Sequence, residues 1–312
     1  MEGQTLVRML RELLNESSSS AFLNDRTSYD YLYTAVNDFN FRTHALTTTQ
    51  SIPVVASTSA YNLNPDYVGM ALVDTYNRPY IKHTYSGSDT FIFNADYTSV
   101  YLNNSTATSA VAESYSTTDA AQPSNVTGTA TSSGASSNGE SSLTDSTAPF
   151  ANVYPGDFVH NTTQSTDGVV TAKTSSSVIT TALFTDGAAG AGWAQNDAYV
   201  VVLQPKYSLV LTPIPSATAT VTVPYIQRPN PVYSPFRAYK LPFDYMMPIV
   251  QFAAFLYKYR DSEANYGDAF FKYYDAFARK KAADMRKAIN EHQGFRVNFT
   301  KINGRSRQFG SR

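Results

Sequence analysis

Gly168-Val-Val-Thr-Ala172, Ser177-Val-Ile-Thr-Thr-Ala-Leu-Phe184 and Asp197-Ala-Tyr-Val-Val-Val-Leu203 are short runs of Val, Ile, Thr and Ala separated by turn-forming residues. β-Branched and aromatic side chains suit a pleated, packed surface, so each run reads as a strand. With Val153-Tyr-Pro-Gly-Asp-Phe-Val-His160 ahead of them, they predict a small β-barrel or sandwich of about 50 residues. Downstream, Tyr207-Ser-Leu-Val-Leu-Thr-Pro213 and Ala219-Thr-Val-Thr-Val-Pro-Tyr225 read as two more strands, and Pro229-Asn-Pro231 marks the exit. Upstream lies a Ser/Thr/Ala/Gly-rich tract, residues 98–149, with four acidic and no basic side chains. Its apolar content is thin, so it reads as a surface loop, or alternatively as Thr/Ser-rich strands lying on a neighbouring subunit.

Further out, Ser51–Ser57, Ala60–Pro65, Val68–Tyr76 and Tyr80–Tyr85 are β-rich pieces, with turns at Asn77-Arg78-Pro79 and Ser86-Gly87-Ser88. Both chain ends read as helix. Thr5 can cap a first helix whose Leu6, Met9, Leu10, Leu13 and Leu14 share a face, opposite Arg8, Arg11 and Glu12; the run Ser17–Ser20 ends it. A second helix starts at Thr27 or Ser28, with Tyr29, Leu32, Ala35, Val36 and Phe39 as its stripe. Near the other end, Pro242 opens a helix carrying Tyr245, Ile249, Phe252, Ala253, Leu256 and Tyr257. After a break at Asp261-Ser262, a long helix runs from Glu263 to Glu291 and stops at Gly294. It turns Phe270, Tyr274, Phe277 and Ile289 inward and Lys272, Lys280, Lys281, Arg286 and Lys287 outward. The fold class these readings predict is α+β: a helical bundle made from both chain ends, displaying an inserted β-rich barrel or sandwich.

Charge is segregated along the chain. Lys82 and Lys173 bracket a span without any lysine or arginine, while residues 270–312 hold 11 basic and 3 acidic side chains. That end carries a formal +8 and the remainder −9, so the net −1 hides a basic end on an acidic body. Such segregation suits a terminus that docks onto an acidic partner surface. The tail from His292 interleaves five basic residues with Phe295, Val297, Phe299, Ile302 and Phe309. It reads three ways: a solvated end, a weak nucleic-acid contact, or an extended peptide that orders in a groove of another protein. The spaced aromatics favour the last.

The residues point away from catalysis. With no cysteine, disulfides, thiolate metal sites and thiol nucleophiles are excluded. His44, His83, His160 and His292 lack metal-ligand spacing. The chain has no Gly-x-Ser-x-Gly elbow and no phosphate-binding Gly-x-x-x-x-Gly-Lys-Ser/Thr loop. Gly187, Gly190 and Gly192 read as a β-turn rather than a phosphate cradle. Asp157 reads as a turn former, with His160 a surface neighbour rather than its catalytic partner. Two opposed carboxylates of a glycosidase are not excluded by sequence. Neither a signal peptide nor a membrane-spanning run is evident, which predicts an intracellularly made, soluble protein; the lack of a catalytic set predicts that it is not an enzyme and needs no cofactor or metal. The 23 Tyr and 18 Phe suit either half-buried surfaces or subunit contacts.

Arg11-Glu-Leu-Leu-Asn-Glu16, Ala35-Val-Asn-Asp38 and Ala60-Tyr-Asn-Leu-Asn-Pro65 resemble, in that order, segments of the head-to-tail adaptor proteins of short-tailed, podovirus-like bacteriophages. So do Val223-Pro-Tyr225, Leu241-Pro-Phe-Asp-Tyr245 and Ala253-Ala-Phe-Leu-Tyr-Lys-Tyr-Arg-Asp261. The resemblance covers residues 1–95 and 205–291. It implies a virion structural protein, assembled in the host cytoplasm, that forms a homo-oligomeric ring, usually of twelve copies, below the portal. The ring would join the DNA-filled head to the tail, offer a platform to nozzle or fibre proteins, and let DNA pass without sequence-specific binding. No membrane is involved. On this resemblance the chain divides into 1–95 and 206–291 as the adaptor core, 96–205 as an inserted loop and β domain, and 292–312 as a basic arm. The portal-binding residues would be Phe295, Arg296, Phe299, Lys301, Arg305, Arg307, Phe309 and Arg312. Subunits would pack through Tyr245, Phe252, Leu256, Phe270, Tyr274 and Phe277. The competing expectation is a carbohydrate-binding or hydrolysing tail protein acting through the β insertion.

Overall fold

The computed structural model describes residues 1–16, 23–71, 79–95, 108–120, 122–185, 188–260 and 264–292. The expected fold class is corrected by it. The molecule is mostly β, with strand residues outnumbering helical ones, 39% to 29%. All but two of its strands form two sheets that each curl almost into a barrel, and four α-helices are present among the described residues. It is therefore not a helical bundle bearing a β insertion.

The helices are α1 (Gly3–Leu14), α2 (Asp25–Thr43), α3 (Met246–Arg260) and α4 (Ala264–His292). The apolar stripes do what their spacing requires: Leu6, Leu10, Leu32, Ala35, Val36, Phe39, Ile249 and Ala253 are fully or almost fully buried in one core. The ends differ from the expected ones for a physical reason. Thr5 caps nothing; α1 begins at Gly3 because its first N–H groups are taken by distant carbonyls, Gly3 N by Arg237 and Gln4 N by Pro235. A Cβ at residue 3 would lie 2.5 Å from the Ser234 carbonyl oxygen, so only glycine permits that approach. The helix closes at Asn15, in the left-handed region, rather than at the serine run, which lies outside the described residues. At α2 the cap is Asn24, whose side chain accepts from Thr27 N at 2.8 Å, three residues ahead of the expected start.

The first sheet gathers chain from far apart. It contains β1 (Thr47–Val54), β2 (Ala60–Asn62), β3 (Tyr67–Met70), β4 (Tyr80–Tyr85), β5 (Ser88–Asn94), β7 (Ser114–Asp119), β15 (Tyr207–Thr212) and β17 (Ala219–Gln227). β1 pairs along its whole length with β17, from Thr47 opposite Ile226 to Val54 opposite Ala219. The β4–β5 hairpin turns through Ser86 and Gly87, both at positive φ, the geometry that a two-residue hairpin requires. Gln50 closes the gap between the sheet's edges, its side chain donating to Asn62 O and accepting from Asn64 N. Inside lie Ile81, Ile92, Tyr115, Leu209, Leu211, Val221 and Val223. Two short strands, β6 (Thr108–Ser109) and β16 (Ile214–Pro215), pair alongside.

The second sheet is made from one continuous stretch: β8 (Val126–Thr129), β9 (Ser141–Thr144), β10 (Phe158–Asn161), β11 (Thr166–Lys173), β12 (Val178–Thr185), β13 (Ala188–Ala191) and β14 (Ala198–Val202). A bond from Thr131 N to Thr144 O helps close it. Part of the Ser/Thr-rich tract is thus built into the sheets as β7, β8 and β9, not a surface loop. Its threonines and serines pair main chain to main chain, which hydropathy does not register. The apolar runs Gly168–Ala172 and Ser177–Phe184 lack alternation because β11 and β12 are covered on both faces. Val170 and Leu183 point into the barrel, and Val169, Ala182 and Phe184 into the helical core. That shared pair of strands seats the helices on the second barrel.

Candidate functional site

The eight expected portal-binding residues, Phe295, Arg296, Phe299, Lys301, Arg305, Arg307, Phe309 and Arg312, lie outside the described residues. The helix leading to them is described, and it is anchored. Arg42 on α2 reaches Asp38 at 2.8 Å and Asp275 on α4 at 3.0 Å, and Arg279 joins Asp275 at 2.8 Å. The Tyr274 hydroxyl donates to Asp38 from the same side. Burial first, and then that bond to Asp38, push the phenol well above its ordinary range, so it remains a proton donor. Lys272, Tyr273 and Lys280 stand exposed on α4 away from this anchor. A basic, partly aromatic face therefore leads to the basic end of the chain.

Of the six residues expected between subunits, Tyr245, Phe252 and Tyr274 are buried within this chain's own core, and Leu256, Phe270 and Phe277 are partly buried at its margin. Phe252 stacks 4.5 Å from Tyr274, and Phe39 packs 5.0 Å from Tyr245. The helical segments also leave Phe41, Phe243, Met247 and Tyr259 exposed.

The remaining candidates separate. His160 lies opposite Asp167 on the β10–β11 ladder, and Asp167 is held by Arg26 at 2.6 Å. Asp157 faces elsewhere, accepting from Tyr154 N and Gln204 N. The two are not a dyad. His83 is wholly buried in the first barrel, and His44 ends α2 in the left-handed region. Of His292, only its place at the end of α4 is described. The glycine-rich stretch forms β13, with no helix beginning after it. A cavity of about 1010 Å³ runs between α1, the start of α2 and the turn at Asn138-Gly139. The arginines lining it are internally matched, Arg8 with Glu12 and Arg11 with Asp25.

Two features escaped sequence reading. In the second barrel three buried carboxylates act as clamps: Asp145 on Tyr199 and Thr147, Asp157 on Tyr154 and Gln204, and Asp197 on Asn161, Gln164 and Ala194. The other is a meeting of cations at Tyr154: Lys173 Nζ lies 5.1 Å and Lys206 Nζ 5.4 Å from its ring centre. The signal for it was present in the sequence, since Lys173, Lys206 and Arg228 are the only basic residues between Lys82 and Arg237. No protein-family model and no curated protein sequence matches the chain.

Proposed function

We propose that the protein is a structural adaptor subunit of a short-tailed bacteriophage particle. In this reading it forms a ring below the portal, joins the head to the tail, and offers its β barrels to nozzle or fibre proteins. The observation that carries the reading is the segregation of charge: a formal +8 in residues 270–312 against −9 elsewhere. Support comes from the root of that end, where Arg42, Asp38, Asp275 and Arg279 tie α4 to α2. A terminal arm that must transmit load to a body needs such an anchor, because a docked peptide on a fraying helix would detach with it. The arm would gain its affinity by ordering on the portal, and a ring would multiply weak single contacts through raised effective concentration.

The test is assembly on portal-bearing particles. The full chain is expected to bind as a ring, and a chain ending at residue 291 is expected to keep its circular dichroism and Trp193 emission while losing attachment. Undiminished attachment of the shortened chain would overturn the role given to the arm. Turnover of a glycan by the full chain would favour the carbohydrate-active reading instead.

A further inference from the structure

Every other described lysine or arginine from Arg8 to Arg237 sits in an ion pair: Arg8 with Glu12, Arg11 with Asp25, Arg26 with Asp167, Arg42 with Asp275, Lys82 with Asp89, and Arg237 with Glu140. Lys173, Lys206 and Arg228 do not. Among the described residues they find only neutral partners: Lys173 Nζ donates to Ala151 O at 2.6 Å, Arg228 donates to Gln204 Oε1, and the Lys206 ammonium rests over the Tyr154 ring. The cluster stands where the two barrels meet. Lys173 ends β11 of the second sheet, while Lys206 directly precedes β15 and Arg228 directly follows β17 of the first. A cavity of about 290 Å³ opens beside it, lined by Asp119, Gln204, Pro205, Lys206, Tyr207 and Arg228.

Among the described residues none of the nearby carboxylates makes a direct ion pair with these cations, although Asp157 acts on all three at longer range. Asp157 is buried and spent on two backbone N–H groups. Asp66 is held by Tyr225 and Gln227. Asp119, exposed on the rim, forms no ion pair among the described residues. Burial, and then the charge of Lys206, hold the Lys173 ammonium below its ordinary range; Asp157 only partly opposes this. A ring face attracts a cation through its quadrupole but consumes none of its N–H donors. Both ammonium groups and the Arg228 guanidinium therefore retain donors for an acceptor with negative charge.

We propose that Lys173, Lys206 and Arg228 form a binding site for an oxyanion group, carboxylate or phosphate, at the seam between the two barrels. Nothing in this proposal depends on ring formation, and it can be tested on the isolated chain. Calorimetric titration of the full chain at fixed ionic strength would use inorganic phosphate in one arm and glucuronate, a carboxylate-bearing sugar, in the other. Saturable binding of at least one is expected, and the arm that binds identifies the oxyanion. Lys206→Met should weaken binding about tenfold or more, Lys206→Arg should largely retain it, and Lys82→Met, which removes an ion-paired cation elsewhere, should leave it unchanged. Lys173→Met gives a second reading if Lys206→Met perturbs the fold, which Trp193 emission would report. Absence of saturation in both arms, or equal losses in Lys82→Met and Lys206→Met, would overturn the proposal.

Discussion

In the second barrel Asp145, Asp157 and Asp197 are each almost wholly buried, and each carboxylate collects N–H or O–H donors from the loops it ties down. In the first barrel His83 is wholly buried, and neither ring nitrogen has a partner among the described residues; the hydroxyl of buried Ser116 is likewise unpaired. The second barrel leaves the Thr166 hydroxyl unpaired but no carboxylate. A buried acceptor that gathers several donors rigidifies its loops, whereas an unpaired buried group subtracts from stability. The difference follows the chain. The second barrel is one continuous stretch with long loops needing clamps, while the first is closed by distant pairings, chiefly β1 on β17.

That contrast makes the barrels separable in experiment, because the single Trp193 lies in the core of the second. The largest effect is expected from Leu209→Ala, which empties a fully buried site in the first barrel. It should cost about 2–5 kcal/mol. In urea unfolding followed by circular dichroism, the midpoint should fall clearly. If the barrels unfold independently, the Trp193 emission midpoint should stay in place; a common shift would instead make them one cooperative unit.

Asp197→Ala reverses the pattern. It strips acceptors from Asn161, Gln164 and Ala194, which lie at 2.8, 2.5 and 2.8 Å from one carboxylate oxygen. Leaving buried donors unsatisfied should cost about 2–3 kcal/mol. The Trp193 midpoint is expected to drop while the rest of the transition follows less. An unchanged Trp193 midpoint would mean that this clamp is dispensable.

The same contrast explains what could be read from sequence. The strands at Gly168 and Ser177 were legible because β10 to β13 are a meander of consecutive strands, and the strand at Asp197 because its own Val and Tyr run is strongly β-forming. The stripes of α1 and α2 were legible for the same local reason. β7 and β8 were not: Ser114–Asp119 and Val126–Thr129 are stabilised by ladders to β15 and β14, far along the chain, rather than by their own hydropathy. The start of α1 was missed because its cap is the distant segment at Pro235–Arg237. The terminal helices declare themselves through local periodicity, whereas the strands that make up most of the molecule are specified by partners far along the chain. The Tyr154 cluster could have been suspected from three isolated cations in an otherwise base-free span, but only the fold brings them together.

His83 offers a smaller and opposite test. Burial lowers the pKa of its imidazole, so the native chain resists a proton that the unfolded chain accepts below about pH 6.5. Stability should be unaffected by this group at higher pH and should decline as pH falls through that range. His83→Leu is expected to remove that decline and add about 1 kcal/mol, since no hydrogen bond is lost. The measurement is the urea midpoint by circular dichroism at pH 7.5 and 5.5. Asp145 provides an internal separation of windows. Burial opposes its ionisation, but bonds from Tyr199 and Thr147 outweigh this and hold its carboxyl below the ordinary range. Its contribution is therefore lost only at more acidic pH, and through the barrel that Trp193 reports.

The smallest effect concerns the join between helices and barrel. Arg26 on α2 bonds Asp167 on β11 through both carboxylate oxygens, at 2.9 and 2.6 Å, and lies 5.5 Å over the Phe184 ring. Arg26 is 35% and Asp167 45% exposed, so solvent screens the pair, and Arg26→Met should cost only about 0.5–1 kcal/mol. Its informative consequence is coupling rather than magnitude. Apolar contact through Val169, Ala182 and Phe184 already seats the helices on the second barrel, and a methionine stem preserves much of that cover. If packing dominates, the variant should unfold with the same relation between the Trp193 and circular-dichroism midpoints as the parent chain. If the two midpoints separate, the ion pair is what transmits stability from α2 to the second barrel.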